Sequence, residues 1–301
     1  AVGASAGAAV TSGTQNALIG GTTGDALTTG SGNTALGISA LTRDTAGSKS
    51  VAIGGTALAY QNFTTATDSY NTAVGYGAGL SVTTGINNVI VGGLAGDALT
   101  DADFNVALGT HALTADTLGS KSTALGYFSL GNQNFTTATD SFNTAVGYHA
   151  GLAVTTGIHN AIVGATAGDA LTDADYNTVL GSNALSADTL GSQSTAVGFN
   201  ALATQNFTTA TNSLNTAVGY AAGLNVTTAV FNTLVGGLSG DALTAGQENV
   251  AFGYLALSGD TLGSHSVAVG SYALQAQNFT TATDSFNTAV GYAAGTAVTT
   301  G

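Results

Sequence analysis

The stretch Asn71-Thr72-Ala73-Val74-Gly75-Tyr76 returns letter for letter at Asn143–Tyr148, Asn215–Tyr220 and Asn287–Tyr292, with copies 72 residues apart. A relaxed form of it runs Asn or Ser, a small or β-branched residue, an apolar residue, a bulky apolar residue, then Gly. That form starts at 16, 33, 50, 71, 88, 105, 122, 143, 160, 177, 194, 215, 232, 249, 266 and 287, at intervals of 17, 17, 21 and 17. A unit this short cannot bury an apolar face alone, so successive units must stack to make a core. The pattern predicts an all-β chain: a parallel β-solenoid, or β-roll, of about seventeen coils, with four coils in each 72-residue super-repeat. It is expected to be a single domain over 1–301, with super-repeats 71–142, 143–214 and 215–286 and partial sets at 1–70 and 287–301.

Composition removes competing classes. The 44 glycines do not recur at every third position and there is no Pro, which excludes collagen. Apolar residues make up 44% of the chain and sit at fixed places, which argues against disorder. Three basic and sixteen acidic residues give a net charge of −13. Nucleic acid needs a basic track, so it is not an expected partner. No run of residues is apolar and long enough for a transmembrane helix, so membrane insertion is not expected. With no Cys there is neither a disulfide nor a thiolate metal site.

The fourth motif position is bulky and apolar in every coil: Ile19, Leu36, Ile53, Val74, Val91, Leu108, Leu125, Val146, Val163, Leu180, Val197, Val218, Val235, Phe252, Val269 and Val290. Bulk and constancy assign this column to the inside of the stack as the core ladder. By strand alternation the third position faces the other way. It is usually Ala but becomes Leu18, Ile90, Ile162 and Leu234 once per period. Those four line either a second buried face or an interchain contact. Gly20, Gly37, Gly54, Gly75, Gly92, Gly147, Gly219 and Gly291 stand at a corner where positive φ or close backbone approach favours Gly. The leading Asn or Ser is expected to form a ladder that satisfies backbone groups.

Each 21-residue coil carries an extra loop, which makes Asn62 and Phe63, Asn134 and Phe135, Asn206 and Phe207, and Asn278 and Phe279 a candidate contact surface. The competing expectation is that each Phe folds over the wall as a local core. The same loops match Asn-x-Thr, as does Asn225-Val226-Thr227. Asp97, Asp101 and Asp103 have a spacing that could offer calcium carboxylates, although it is not an EF-hand spacing. A solvated acidic turn is the favoured account of them, since two of the three acids vanish in the first and last sets, and no other cofactor is implied. His111, His149, His159 and His265 form no repeated ligand set. Catalysis needs a one-off constellation in a cleft, whereas this chain repeats its surface, so no enzyme and no catalytic residue is expected.

At Asn71–Gly75 and Ser50–Gly54 the chain resembles the head repeats of trimeric autotransporter adhesins and the related repeats of phage tail-fibre proteins. The resemblance covers essentially the whole chain, but the coils here are longer than those of adhesin heads. It implies a parallel β-roll, commonly trimeric, at a cell surface or outside the cell. The expected function is therefore a structural subunit of an extracellular filament or fibrous adhesin, its partners being copies of itself. These would join as a trimer or head to tail through open end coils. A tail-fibre-like module binding host glycans or proteins is the alternative. Ice binding is a minor alternative, because the second-position column mixes Thr with Val and Ala.

Overall fold

The computed structural model describes residues 1–301, which form an all-β parallel β-solenoid of about sixteen turns with no α-helix. The chain separates into two compact units, Ala1–His149 and Ala150–Gly301. In the first, each relaxed motif becomes a three-residue strand: Ala17–Ile19, Thr34–Leu36, Val51–Ile53, Thr72–Val74, Val89–Val91, Val106–Leu108, Thr123–Leu125 and Thr144–Val146. Each pairs in parallel with the next, motif position against motif position, as in Thr72↔Val89, Ala73↔Ile90 and Val74↔Val91. Val2 adds an isolated bridge to Ile19.

The second unit repeats the arrangement with strands at Ala161–Val163, Thr178–Leu180, Thr195–Val197, Thr216–Val218, Thr233–Val235, Val250–Phe252, Val267–Val269 and Thr288–Val290. Registry between neighbours is again residue for residue. The 21-residue coils add two-residue pairs on another wall. Gly47–Ser48 pairs with Thr67–Asp68 and Gly119–Ser120 with Thr139–Asp140 in the first unit. Gly191–Ser192 with Thr211–Asn212 and Gly263–Ser264 with Thr283–Asp284 follow in the second.

The direction of the strand faces reverses the expectation. The third position is buried in all sixteen strands, and the fourth is buried in none. Leu18, Ile90, Ile162 and Leu234 are therefore core residues and not an interchain contact, being at most 2% exposed. Ile19, Leu36, Ile53, Val74, Val91, Leu108, Leu125, Val146, Val163, Leu180, Val197, Val218, Val235, Phe252, Val269 and Val290 form an outward column and not the core ladder. The physical reason is the narrow interior. Leucines from the facing wall, such as Leu58, Leu99, Leu113 and Leu130, already fill it and leave the strand room for Ala. The four largest third residues share their coils with Gly24, Gly96, Gly168 and Gly240 on the facing wall, although Val179 is also buried in a coil that carries Leu185 at that place. A Cβ on Gly168 would sit 3.4 Å from Ile162 Cδ1, and one on Gly240 would sit 2.7 Å from Leu234 Cδ2.

The motif glycines have a double reason to be glycine. The eight named above have φ between 128° and 141°, a region L-residues rarely enter. At Gly75 a Cβ would also fall 2.4 Å from the carbonyl oxygen of Gly92 in the next coil. The leading polar residue forms the expected ladder, fully inside. Asn88 N donates to Asn71 Oδ1 at 3.0 Å and Asn88 Nδ2 to Ala102 O at 2.7 Å. Asn105 N then donates to Asn88 Oδ1 at 2.9 Å.

Candidate interaction surface

Second and fourth motif positions point outward together, so each unit presents a face of eight short parallel strands. In the first unit the second position reads Ala17, Thr34, Val51, Thr72, Val89, Val106, Thr123 and Thr144, each half-buried or exposed. In the second it reads Ala161, Thr178, Thr195, Thr216, Thr233, Val250, Val267 and Thr288. No charged residue occurs at either position in any strand. Isolated exposed apolar residues are ordinary, but a two-column face of Thr, Val, Ile and Leu with no charge is not. Ile19 and Leu180 are 47% and 49% exposed.

Aromatic residues stand at both margins of this face. Just before the strand come Tyr70, Phe104, Phe142, Tyr176, Phe231 and Phe286; just after the motif glycine come Tyr76, Tyr127, Tyr148, Phe199, Tyr220, Tyr254 and Tyr292. All are exposed. They stack along the coil direction, Tyr127 on Tyr148 at 5.7 Å and Phe199 on Tyr220 at 5.7 Å between ring centroids. His149 stacks on Tyr148 at 3.9 Å, and His159 on Tyr176 at 5.0 Å. The residue preceding each leading Asn or Ser has positive φ even where it is bulky, as at Tyr70 (51°) and Phe142 (51°). That backbone costs energy for a non-glycine residue, and the rigid stack over-determines it.

The three basic residues find their partners beside the extra loops, while half of the acids lie in the separate acidic turns. Lys49 Nζ reaches Asp68 Oδ2 at 2.6 Å and Tyr70 Oη at 2.9 Å. Those two hydrogen bonds, Asp68 first, hold its ammonium well above the ordinary lysine range. Lys121 meets Asp140 at 2.5 Å, and Arg43 lies 4.2 Å over the Tyr60 ring. Glu248 lines an open depression of about 420 Å³ with Phe231. His265 Nε2 lies 3.4 Å from Glu248 and its Nδ1 3.2 Å from Asp284.

The acidic turn is built for hydrogen bonding within the wall. Asp97 Oδ1 accepts from Thr114 Oγ1 at 2.5 Å, Asp101 Oδ1 from Thr84 Oγ1 at 2.6 Å, and Asp103 Oδ1 from the Ile86 amide at 2.7 Å. Burial pushes the Asp103 carboxyl above its usual range despite the Ile86 bond, with Asp101 and Asp140 adding to the rise. Asp97, Asp101 and Asp103 are not drawn into a cluster, and no group of three potential metal ligands forms anywhere in the chain. In the extra loops Asn62, Asn134, Asn206 and Asn278 are exposed. Phe63, Phe135, Phe207 and Phe279 are not contact surface but local core, 5–8% exposed.

A buried polar brace escaped the motif reading. Asp116 is fully buried; its Oδ1 accepts from the Gly119 and Phe135 amides, both at 3.0 Å, and its Oδ2 from Gln133 Nε2 at 2.6 Å. Gln133 Nε2 also donates to Ser122 Oγ at 2.8 Å, Ser122 pairs with Ser141 at 2.5 Å, and Asn143 Nδ2 donates to Gln133 Oε1 at 2.9 Å. The same constellation surrounds Asp44, Asp188 and Asp260. Gly119 has no side chain because a Cβ there would lie 2.2 Å from Asp116 Oδ2. The signal was present: an Asp and a Gln seventeen residues apart, recurring once per 72.

The fold defines the class, a repeat protein of parallel β-solenoid architecture, which fits tail-fibre and adhesin repeats without being specific to them. No family model, curated protein or solved structure matches the chain. No helix is long and apolar enough to cross a membrane.

Proposed function

We propose that this protein is a structural subunit of an extracellular fibre or fibrous adhesin, and that copies of it associate through the outward strand face. The observation that carries this reading is the uncharged double column of second- and fourth-position residues with exposed aromatic margins. Interface cores are depleted of charge and enriched in Tyr and Phe. All sixteen acids and all three bases lie outside the double column, with Lys49, Lys121 and Glu248 interrupting the aromatic margin before the strands. The role is structural and not catalytic. The resemblance to trimeric adhesin heads and tail fibres supplies the expected stoichiometry, three copies, in either biological setting.

Light scattering and analytical ultracentrifugation of the full chain test it. A trimer that becomes a folded monomer when Leu180, Val197 and Val218 are changed together to Lys is the expected result. A wild-type monomer at high micromolar concentration would sink the assembly. A second reading rests on the exposed Thr of the second column, such as Thr178, Thr195, Thr216 and Thr233, which present hydroxyls coil after coil. A freezing-point hysteresis that disappears on changing these to Lys would favour ice as the ligand.

A further inference from the structure

Five Asn-x-Thr triplets occur in the chain, and the fold treats one unlike the other four. In Asn62-Phe63-Thr64 and its three counterparts the Asn and Thr are exposed while the Phe between them is buried. Alternation along an extended segment thus places the amide and the hydroxyl on the same outer side. The Oδ1 of Asn134 accepts from Thr117 at 3.1 Å, and that of Asn278 from Thr261 at 3.1 Å. The side chains are exposed, and Nδ2 donates to no protein group. After the Phe, the amides of Thr64, Thr65 and Ala66 take no backbone partner, so this is the least tied part of the coil.

Asn225-Val226-Thr227 lies instead in a regular coil. Its three amides donate to Asp241 O, Gly223 O and Thr244 O at 3.1, 3.0 and 2.9 Å. The Thr227 hydroxyl is also engaged, donating to Thr244 O at 3.1 Å. Recognition of such a triplet needs the Thr hydroxyl free and the backbone able to bend around the acceptor nitrogen.

We infer that Asn62, Asn134, Asn206 and Asn278 are attachment sites for an N-linked glycan and that Asn225 is not. The donor is a sugar activated as a diphosphate ester, delivered by an asparagine glycosyltransferase. Nδ2 attacks the anomeric carbon, a carbon–nitrogen bond forms, the carbon–oxygen bond to the diphosphate breaks, and the amide proton passes to a base of the transferase. Within each unit the two acceptors are four coils apart, about 19 Å at 4.8 Å per coil.

The test incubates the folded full chain with a soluble asparagine glycosyltransferase and a nucleotide-diphosphate hexose. Proteolytic peptides of the same chain serve as the unfolded control, and glycopeptide mass spectrometry reads each site. The expected result is one hexose on each of the four loop asparagines in the folded chain. Asn225 should react at least about tenfold more slowly there than in its peptide. Thr64→Val should abolish modification of Asn62 alone. The inference is overturned if the folded loops refuse the sugar while their peptides accept it. It is equally overturned if Asn225 reacts as fast as the loops, if neither form is modified, or if the Thr64 variant still carries sugar on Asn62.

Discussion

The two units are built on one 72-residue frame and differ in what they do with it. The brace around Asp116 in Ala1–His149 and that around Asp188 in Ala150–Gly301 agree to a tenth of an ångström in their main contacts. Gln205 donates to Asp188 at 2.6 Å and to Ser194 at 2.8 Å, as Gln133 does to Asp116 and Ser122. Outside the wall the agreement ends. All three basic residues, Arg43, Lys49 and Lys121, lie in the first unit, and the positions of Lys49 and Lys121 are taken by Gln193 and His265 in the second. Asp25 and Asp97 each accept from a Thr seventeen residues on, Thr42 and Thr114. Asp241 faces Ser258 at that position, and its buried Oδ1 has no partner. A desolvated group loses heavily with any lost partner, whereas a solvated one is rescued by water, so most of the drift lies on the solvated side of the wall and Asp241 is an exception that should cost stability.

The largest effect should come from breaking the shared part. Gln133→Ala strands a fully buried carboxylate, a Ser and an Asn, and should cost about 3–5 kcal/mol, with Gln205→Ala costing the same within error. Denaturant midpoints of the two variants measure it; a loss under 1 kcal/mol in either would show that the brace is not what holds the long coil.

The inner and outer columns come next. Ile162→Ala should cost about 2–5 kcal/mol through a core cavity, while the adjacent Val163→Ala should barely move the midpoint of the dissociated monomer. Equal losses would contradict the assignment of faces.

A smaller change should repair a difference between the units. Ser258→Thr restores the residue that donates to Asp25 and Asp97, its β-branch narrowing the χ1 choice that the serine hydroxyl leaves open, for a gain of about 1 kcal/mol. Burial holds the Asp241 carboxyl above its usual range, so its contribution to stability is full at acid pH and falls as pH rises through the folded-state value. The Thr variant should flatten that fall, and thermal melts across pH 3 to 7 would reveal it, roughly spanning the carboxylate range. Smallest of all, moving the exposed ion pair into the second unit with Gln193→Lys and Asn212→Asp should leave the melting temperature unchanged at physiological salt. A clear rise would mean exposed pairs contribute more here than their solvation allows.

The architecture was legible because seventeen- and twenty-one-residue spacing leaves a chain little else to become. Position of the Asn ladder followed from backbone chemistry, and the parallel pairing followed from the repeat. The sidedness of the strand was not legible. Val74 looked like core because it is bulky and constant, yet the small Ala73 is the fully buried one, and nothing in the bulk of a residue says which face of a three-residue strand looks into a narrow interior. The candidate surface was therefore read as core, while alternation alone leaves Ile90, which lies against Gly96, between a second buried face and an interchain contact. The brace was missed because its members, Asp116, Ser122, Gln133 and Asn143, look like loop polarity until the coils are stacked.

That brace also restricts how such a gene can change length. Each Asp reaches forward one coil to its Gln, and each Gln reaches the Asn that opens the coil after it, so three successive turns are tied as a set. Unequal recombination that deleted one turn from the set would leave an acid in the core without its amide donor, and the product would not fold in register. Loss or gain of a full 72 residues restores every tie. Length changes compatible with the fold should therefore spare these three turns, removing either the untied turn, such as 88–104, or a whole period, a rule set by a hydrogen-bond network and not by the strands it sits behind.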